Sequence, residues 1–429
     1  MKLKIMIMAL LLVSAVGIGS AVNWLPESTV YGDLNIAGGG NIEANGGSLI
    51  NASIGQSSQI YTVGPYTWCD YTTDGSSDQT EINTATAAHD IVRVVGSISV
   101  SGTIYARGGK ELIIDGDITA AEGFSGVGSP LDILVFVAGD NAIISGTGTL
   151  DCAYRAVRAI HSTYPFNVDD ITITRATTGI IIYSTNGPSR VRCVNVEDSA
   201  SNGIEIGGSS RNSTVSGCKI TNSSSGGISL YGQDAIITNN RIIGVSGGGG
   251  GYGIGGTGAD RCTIADNVIR NTHLESILLI SATDCTVSGN VADLSGSNSY
   301  DLGLTIDKCV YTSVVGNVVK NPQLSGIMVT SCNGCVVVGN IIIDPARQDN
   351  RDCPYDSGIV VKTGSQLCIV TGNTIHDSGG KIIHAIWEYN SGVKNIITLN
   401  TAFGANITGG GQLIEGTGSL NGTLLWSTS

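Results

Sequence analysis

The chain has 429 residues, 61 of them glycine, with 13% charged and 5% aromatic residues and a formal net charge of −13. That charge has the wrong sign for binding nucleic acid or an anionic membrane. It would also repel a polyanionic glycan unless cations or local Arg and Lys intervened.

The first 21 residues, "MKLKIMIMALLLVSAVGIGSA", run from Lys2 and Lys4 through an apolar stretch to the small residues Gly19 and Ala21. This is the layout of a secretory signal peptide cleaved after Ala21, which places the mature chain outside the cell or on its surface. An uncleaved anchor is the alternative, because the run is near the lower limit for spanning a bilayer. No later segment is apolar enough to span. Residues 22–60 have short apolar beats between Gly and Asn, the pattern of a thin β stalk or of a Gly-rich linker. The stretch "SDQTEINTATAAHD" predicts the single helix, with Asp78 as N-cap and Glu81 closing a capping box.

Repeats dominate the rest. "CTIADN" (262–267), "CTVSGN" (285–290), "CVVVGN" (335–340) and "CIVTGN" (368–373) share a final Asn. Anchored there, the column reads Val194, Cys218, Asn240, Asn267, Asn290, Asn317, Asn340, Asn373 and Asn400, in steps of 24, 22, 27, 23, 27, 23, 33 and 27 residues. Val or Ile stands three positions before every anchor, and Val, Ile or Ala two after it. A third apolar stretch ("GIEI", "GISL", "SILLI", "LGLTI", "GIMV", "GIVV") precedes each anchor by 12–15 residues. Alternating apolar residues separated by Gly, Ser, Asn and Asp are strands and turns. Three strands in about 24 residues make one rung of a parallel β-helix, whose rungs stack at ~4.8 Å. About thirteen rungs give a rod of roughly 60 Å. Like residues then stack. Asn240, Asn267, Asn290, Asn317, Asn340, Asn373 and Asn400 form a buried ladder in which each amide must be hydrogen-bonded.

Cys262 with Cys285, and Cys335 with Cys368, stack in the same way as inward fillers. Their parallel Cβ vectors disfavour disulfides. Cys309 and Cys332, nearer a turn, are the pair best placed to be bridged. "CNGC" (332–335) has zinc-ligand spacing, but Cys335 belongs to the inward column and no second CxxC exists. The five His show no metal-binding spacing, so no metal site is expected from them. Sequons begin at Asn51, Asn212, Asn222, Asn406 and Asn421.

The rung phrase G-I-x-(I/L/V)…V-x-G-N-x-I resembles the right-handed parallel β-helix repeats of the pectate lyase (pectin lyase-like) superfamily. "DYTTDGSSDQTEINTATAA" (70–88) is similar to that family's entry segment, whose helix caps the N-terminal end of the core. Residues 93–120 resemble its first rungs, and "ISGTGTLDC" (144–152) its G-x-G-x-(I/L)-D-G segment. The resemblance implies an all-β, single-stranded right-handed parallel β-helix with three strands per rung, over residues 61–405. Residues 406–429 continue as a C-terminal strand extension with no capping helix. Such an uncapped end invites self-association, for example as a homotrimer. The family holds lyases, hydrolases, epimerases, adhesins and viral tailspikes, so fold alone does not choose an activity. The polygalacturonase motifs, the pectate lyase arginine segment and the epimerase Asp-Pro-His-Glu motif are absent.

Two long loops end in Tyr-Asp: Tyr300-Asp301 and Tyr355-Asp356. Each Asp stands three residues before the first inward apolar residue of a strand, Leu304 or Ile359. They therefore share a column two rungs apart, at about 9–10 Å. Inverting glycosidases hold their carboxyls ~6.5–9.5 Å apart, which makes Asp301 and Asp356 the catalytic candidates. Tyr300, Tyr355, Glu275, Arg347, Arg351, His376 and Lys381 are the candidate substrate-binding residues around them. In a lyase the Asp pair could instead hold Ca2+, with Arg347, Arg351 or Lys381 as base. No other cofactor is indicated. An Asp before a strand can also simply cap a turn. The expectation is a secreted or surface β-helix that interacts with polysaccharide, as a lyase or hydrolase. The alternative is a non-catalytic glycan-binding adhesin or tailspike-like appendage.

Overall fold

The structure is a computed structural model. It describes residues 59–404 except 76, 128–131, 154–156, 185–186, 248–249, 295–301, 347–355 and 390–394, with strand segments at 414–415, 420–421 and 425–426. The signal-peptide reading and the stalk reading up to residue 58 fall outside the described residues, and Ile60 already opens the first strand. Among the described residues no helix is long and apolar enough to cross a membrane.

From Ile60 onward the chain winds as a right-handed three-sheet parallel β-helix. Its sheets contain 16, 14 and 13 strands. Every strand pairs in parallel with its counterpart one turn away, so the sequence period becomes a spatial column. In the first sheet the inward column runs Val191, Val215, Ile237, Ile264, Val287, Val314, Val337, Val370, Ile397. In the second it includes Val196, Ile220, Ile242 and Ile269. In the third it runs Ile204, Ile228, Ile254, Ile277, Leu304, Ile327, Ile359, Ile386. These β-branched and Leu side chains are buried and form one continuous core. Removal of that apolar surface from water is the main stabilising term. Strands Ile414–Glu415, Leu420–Asn421 and Leu425–Trp426 add one further strand to each sheet.

The first and second sheets meet at the Asn corner. Asn290 Nδ2 donates to Asn317 Oδ1 at 2.9 Å and to the Ile264 carbonyl at 2.9 Å. Its own Oδ1 accepts from the Nδ2 and the backbone N–H of Asn267, at 2.9 and 3.0 Å. The same bonds link Asn240 to Asn267, Asn317 to Asn340, Asn340 to Asn373 and Asn373 to Asn400. Every amide of the column is fully buried or nearly so. The residue before each Asn sits in the left-handed region, for example Gly289 (φ 65°) and Gly316 (φ 63°). Leu399 takes that conformation as well (φ 54°) while 58% exposed, at a cost glycine would avoid.

At the corner between the second and third sheets, glycine is required by space. A Cβ on Gly203 would lie 2.5 Å from Ile220 Cγ2 and 2.7 Å from the Gly227 carbonyl. This explains the Gly that opens "GIEI": there the backbone itself packs on the core.

Helix α1 (Gln79–Ala88) closes the N-terminal end, burying Ile82 and Ala85. Asp78 is its N-cap residue, but no capping box forms. The Asp78 side chain makes no bond to the helix; its Oδ1 instead accepts from the Gly75 N–H at 2.8 Å. Glu81 Oε2 is buried without a hydrogen-bond partner. The preceding turn competes for the cap carboxylate and wins it.

The expected Cys309–Cys332 disulfide is also corrected. Both are buried free thiols, with Sγ donating to the Leu279 carbonyl at 3.4 Å and the Ile306 carbonyl at 3.3 Å respectively. Both point inward from successive rungs, and parallel Cβ vectors of this kind are poor disulfide geometry. Cys262, Cys285, Cys335 and Cys368 are likewise buried free thiols.

Candidate functional site

The outward positions of the third sheet lie between its inward Ile columns. Pairing places Tyr105 beside Phe136, Phe136 beside His161, His161 beside Ile181, Ile181 beside Glu205 and Glu205 beside Ser229. Strand alternation turns all of these side chains outward. Tyr105 and Phe136 pack edge to face with ring centroids 6.2 Å apart, and Phe136 and His161 stack at 6.3 Å. Tyr183, one residue past its strand, continues the row 5.8 Å from His161. It can lie flat because residue 207 is glycine; a Cβ there would meet the Tyr183 ring. The Arg107 guanidinium sits 5.4 Å from the Tyr105 ring centroid.

Polar groups finish the row. The Tyr183 hydroxyl donates to Glu205 Oε1 at 2.6 Å, and Asn202 Nδ2 donates to Glu205 Oε2 at 3.0 Å. That hydroxyl bond, with burial, pushes the Tyr183 phenol up to about 12. Burial and the charge on Arg158 hold the His161 imidazole below its ordinary value. Further along, Ser229 Oγ and the Tyr252 hydroxyl are 3.0 Å apart. Burial, followed by a hydrogen bond with Tyr252, raises the Tyr231 phenol. The result is a half-buried stripe of rings, one per rung, ending in an anchored carboxylate on rigid strands.

The sequence-derived candidates lie elsewhere. Tyr300, Asp301, Arg347, Arg351 and Tyr355 are outside the described residues. Asp356 is described and is only 1% exposed. Its column holds Leu324 one rung before and Ile383 one rung after, as fixed by the Ile327–Ile359–Ile386 register. Glu275 sits three rungs from Asp356, half-buried, and burial raises its carboxyl above the usual range. His376 and Lys381 are exposed near the corner between the second and third sheets. His376 Nδ1 lies 3.9 Å from Asp344 Oδ1, which also accepts from the N–H and Oγ of Ser378, both at 2.7 Å. Asp344, Asn321, Asp377 and Lys381 line a shallow cleft of about 190 Å3. Asp377 is buried and accepts from the Ile382 N–H at 3.0 Å. The structure therefore brings His376 and Lys381 to one corner and leaves Glu275 apart from them.

Sequence reasoning missed Tyr105, Phe136, His161, Tyr183 and Glu205. Four of the five occupy or flank the variable position of the I-x-I pattern, in "IYA", "VFV", "IHS" and "IEI". Reading that variable position down the rungs would have found them.

Comparison with known proteins agrees with this architecture. The family described as "Periplasmic copper-binding protein (NosD)" matches residues 202–348. The tailspike protein of E. coli bacteriophage HK620 in complex with pentasaccharide is similar over 80% of this chain and 78% of its own, at 14% identity and a TM-score of 0.57. A point mutant of that tailspike with pentasaccharide covers the same shares at 15% identity and a TM-score of 0.56. A further variant with hexasaccharide covers 82% and 80%, at 15% identity and 0.57. At these identities the likeness is one of fold. A comparison with curated proteins returns no match. The chain thus has the fold of a three-sheet parallel β-helix.

Among the described residues, the copper named in the first match finds no ligand set. Soft copper would draw on cysteine, methionine or histidine. Among the described residues no group of three or more His, Cys, Asp or Glu is placed to hold a metal ion. All described cysteines but Cys193 are buried.

Proposed function

We propose that this chain is a secreted or surface β-helix protein that binds polysaccharide along the outer face of its third sheet, from Tyr105 to Glu205. The observation that carries this reading is the row of rings from Tyr105 through Phe136 and His161 to Tyr183, one per rung, with neighbouring ring centroids 5.8–6.3 Å apart. Aromatic faces give flat, apolar platforms for the C–H faces of sugar rings, while their polar edges serve hydroxyls. A glycan laid along the axis would meet one platform per rung. Glu205 still has acceptor capacity beyond its two protein bonds. Strand-borne side chains preorganise the surface, so little side-chain entropy is lost on binding. The fold likeness to tailspikes crystallised with penta- and hexasaccharides supports the same reading.

The test is direct. Binding of neutral and uronate-containing oligosaccharides would be measured by calorimetry for the wild type, Tyr105→Ala and Phe136→Ala. Each truncation is expected to weaken binding about tenfold or more, as loss of a central aromatic anchor does. Binding unchanged by both, or absent for every glycan, would overturn the reading.

Cleavage is a second reading, carried by the sequence spacing alone: Asp301 and Asp356 each stand three residues before an inward apolar residue, Leu304 or Ile359. The burial of Asp356 weighs against it. Incubation with the same glycans should then yield new reducing ends or unsaturated product, both abolished by Asp356→Asn. Assembly into a homotrimer belongs to the appendage version and is read by sedimentation equilibrium.

A further inference from the structure

This inference rests on the polysaccharide reading of the third sheet's outer face and concerns one ring within it. His161 is fixed by strand pairing to Phe136 on one side and Ile181 on the other. Phe136 stacks on it at 20° between planes, and Tyr183 flanks it at 39°. Nδ1 is enclosed and makes no hydrogen bond. The ring as a whole is only half-buried, so its solvent contact lies away from Nδ1. An enclosed N–H without an acceptor is costlier than an enclosed lone pair. The single proton of the neutral ring therefore belongs on Nε2. A second proton would place an unpaired N–H in the enclosed site, close to the Arg158 charge. The charged and titratable groups around the ring are Arg158, Tyr183 and Glu205, and the Glu205 carboxylate is already engaged by Tyr183 and Asn202.

We propose that His161 is a specificity-determining residue of this face, held as a neutral imidazole protonated at Nε2 and donating that proton to a hydroxyl or ring oxygen of the bound sugar. Phe136 and Tyr183 fix the ring plane, so the donor direction is set before the glycan arrives. A ligand would be selected for an acceptor oxygen at that height along the axis, in addition to stacking.

Two measurements on the full chain test this. In the first, nitrogen chemical shifts of 15N-labelled histidine in the free wild type are recorded from pH 6 to 8. They should show His161 protonated at Nε2 and bare at Nδ1 throughout; a proton on Nδ1, or an imidazolium, overturns the inference. In the second, affinities are measured for neutral gluco-, manno- and galacto-hexasaccharides and for a hexagalacturonide. His161→Phe keeps the ring stack and removes the donor, so the best-bound probe should weaken about five- to tenfold. His161→Gln, which keeps a side-chain N–H, should recover part of the loss. If Tyr105→Ala and Phe136→Ala abolish binding while His161→Phe binds as wild type, the inference fails and the polysaccharide reading survives. If no probe binds, both fall. A wild-type affinity that climbs as the pH drops to 6 would mean that the imidazolium binds, which also overturns the inference.

Discussion

The Asn column at the first corner and the ring row outside the third sheet are products of one stacking geometry, and they obey opposite rules. At the corner, each rung presents the same enclosed environment, with one N–H and one carbonyl to satisfy, so the same residue recurs from Asn240 to Asn400. On the outer face, nothing in the core dictates the residue, and Tyr105, Phe136, His161, Ile181, Glu205 and Ser229 follow one another without repetition. In a solenoid, repetition marks what holds the fold, and departure from repetition on an outward column marks where a ligand can be read. The penalty for a change should differ accordingly: stability at the corner, binding on the face.

The largest effect is expected from breaking the ladder. Asn290→Leu keeps the volume but removes the acceptor used by Asn267 and the donor used by Asn317 and Ile264. Buried polar groups left unpaired should cost ~1–3 kcal/mol, read as a lower midpoint in denaturant melts. Thr286→Ser, on the same turn but half-exposed, should leave the midpoint within about 0.5 kcal/mol of wild type. Equal effects from the two would erase the contrast between corner and surface.

The face should show the reverse. Tyr105→Ala and Phe136→Ala, expected to weaken binding, should unfold with midpoints much closer to wild type than Asn290→Leu does. Loss of stability as large as that of the ladder variant would make the rings structural and the comparison void.

Glu275 sharpens the contrast through pH. Its folded-state carboxyl titrates above its unfolded value because it is buried. The folded chain therefore holds that proton more tightly. Stability is intact below the unfolded pKa, near 4.3, and is lost as pH rises through the folded pKa. Glu275→Gln should then raise the melting temperature at pH 7 and leave it unchanged at pH 4. A variant equally stabilised at both pH values would show that burial of the charge is not the cause.

The smallest effect concerns a corner position where a bulky apolar residue takes the left-handed conformation. Leu399→Gly relieves a left-handed leucine, a conformation that costs roughly 1–2 kcal/mol. Part of the gain is offset by glycine's larger entropy loss on folding, so a net rise of about 0.5 kcal/mol is expected. Destabilisation would mean that the exposed leucine makes a contact worth more than the strain.

Much of the fold was legible because the residues that build it repeat. The spacing of Val191, Val215 and Ile237 became the strand register without adjustment, and the Asn spacing became a hydrogen-bonded column. The capping box was not legible, since Asp78 had two claimants for its carboxylate and only the folded turn at Gly75 shows which one holds it. Nor was the state of Cys309 and Cys332, which depends on the direction of two Cβ vectors rather than on spacing. The candidate site was legible least. Loop length and the Tyr-Asp echo drew attention to Asp356, which is buried, while the ring row gave no local motif because its members are 22–31 residues apart in the chain.

By itself, the sequence determined the rung: its three strands, its inward Val and Ile, its Asn corner and the glycine that lets the next turn begin. These are local choices repeated at a fixed period, and parallel stacking converts a period directly into a neighbour relation. Only the tertiary structure decided which outward residues meet. Tyr105, Phe136, His161 and Tyr183 become one surface through coiling, and the enclosure of His161 Nδ1 depends on what neighbouring rungs place around it. Contacts across rungs are set by the stacking of whole turns, a distance in space that no short stretch of chain encodes.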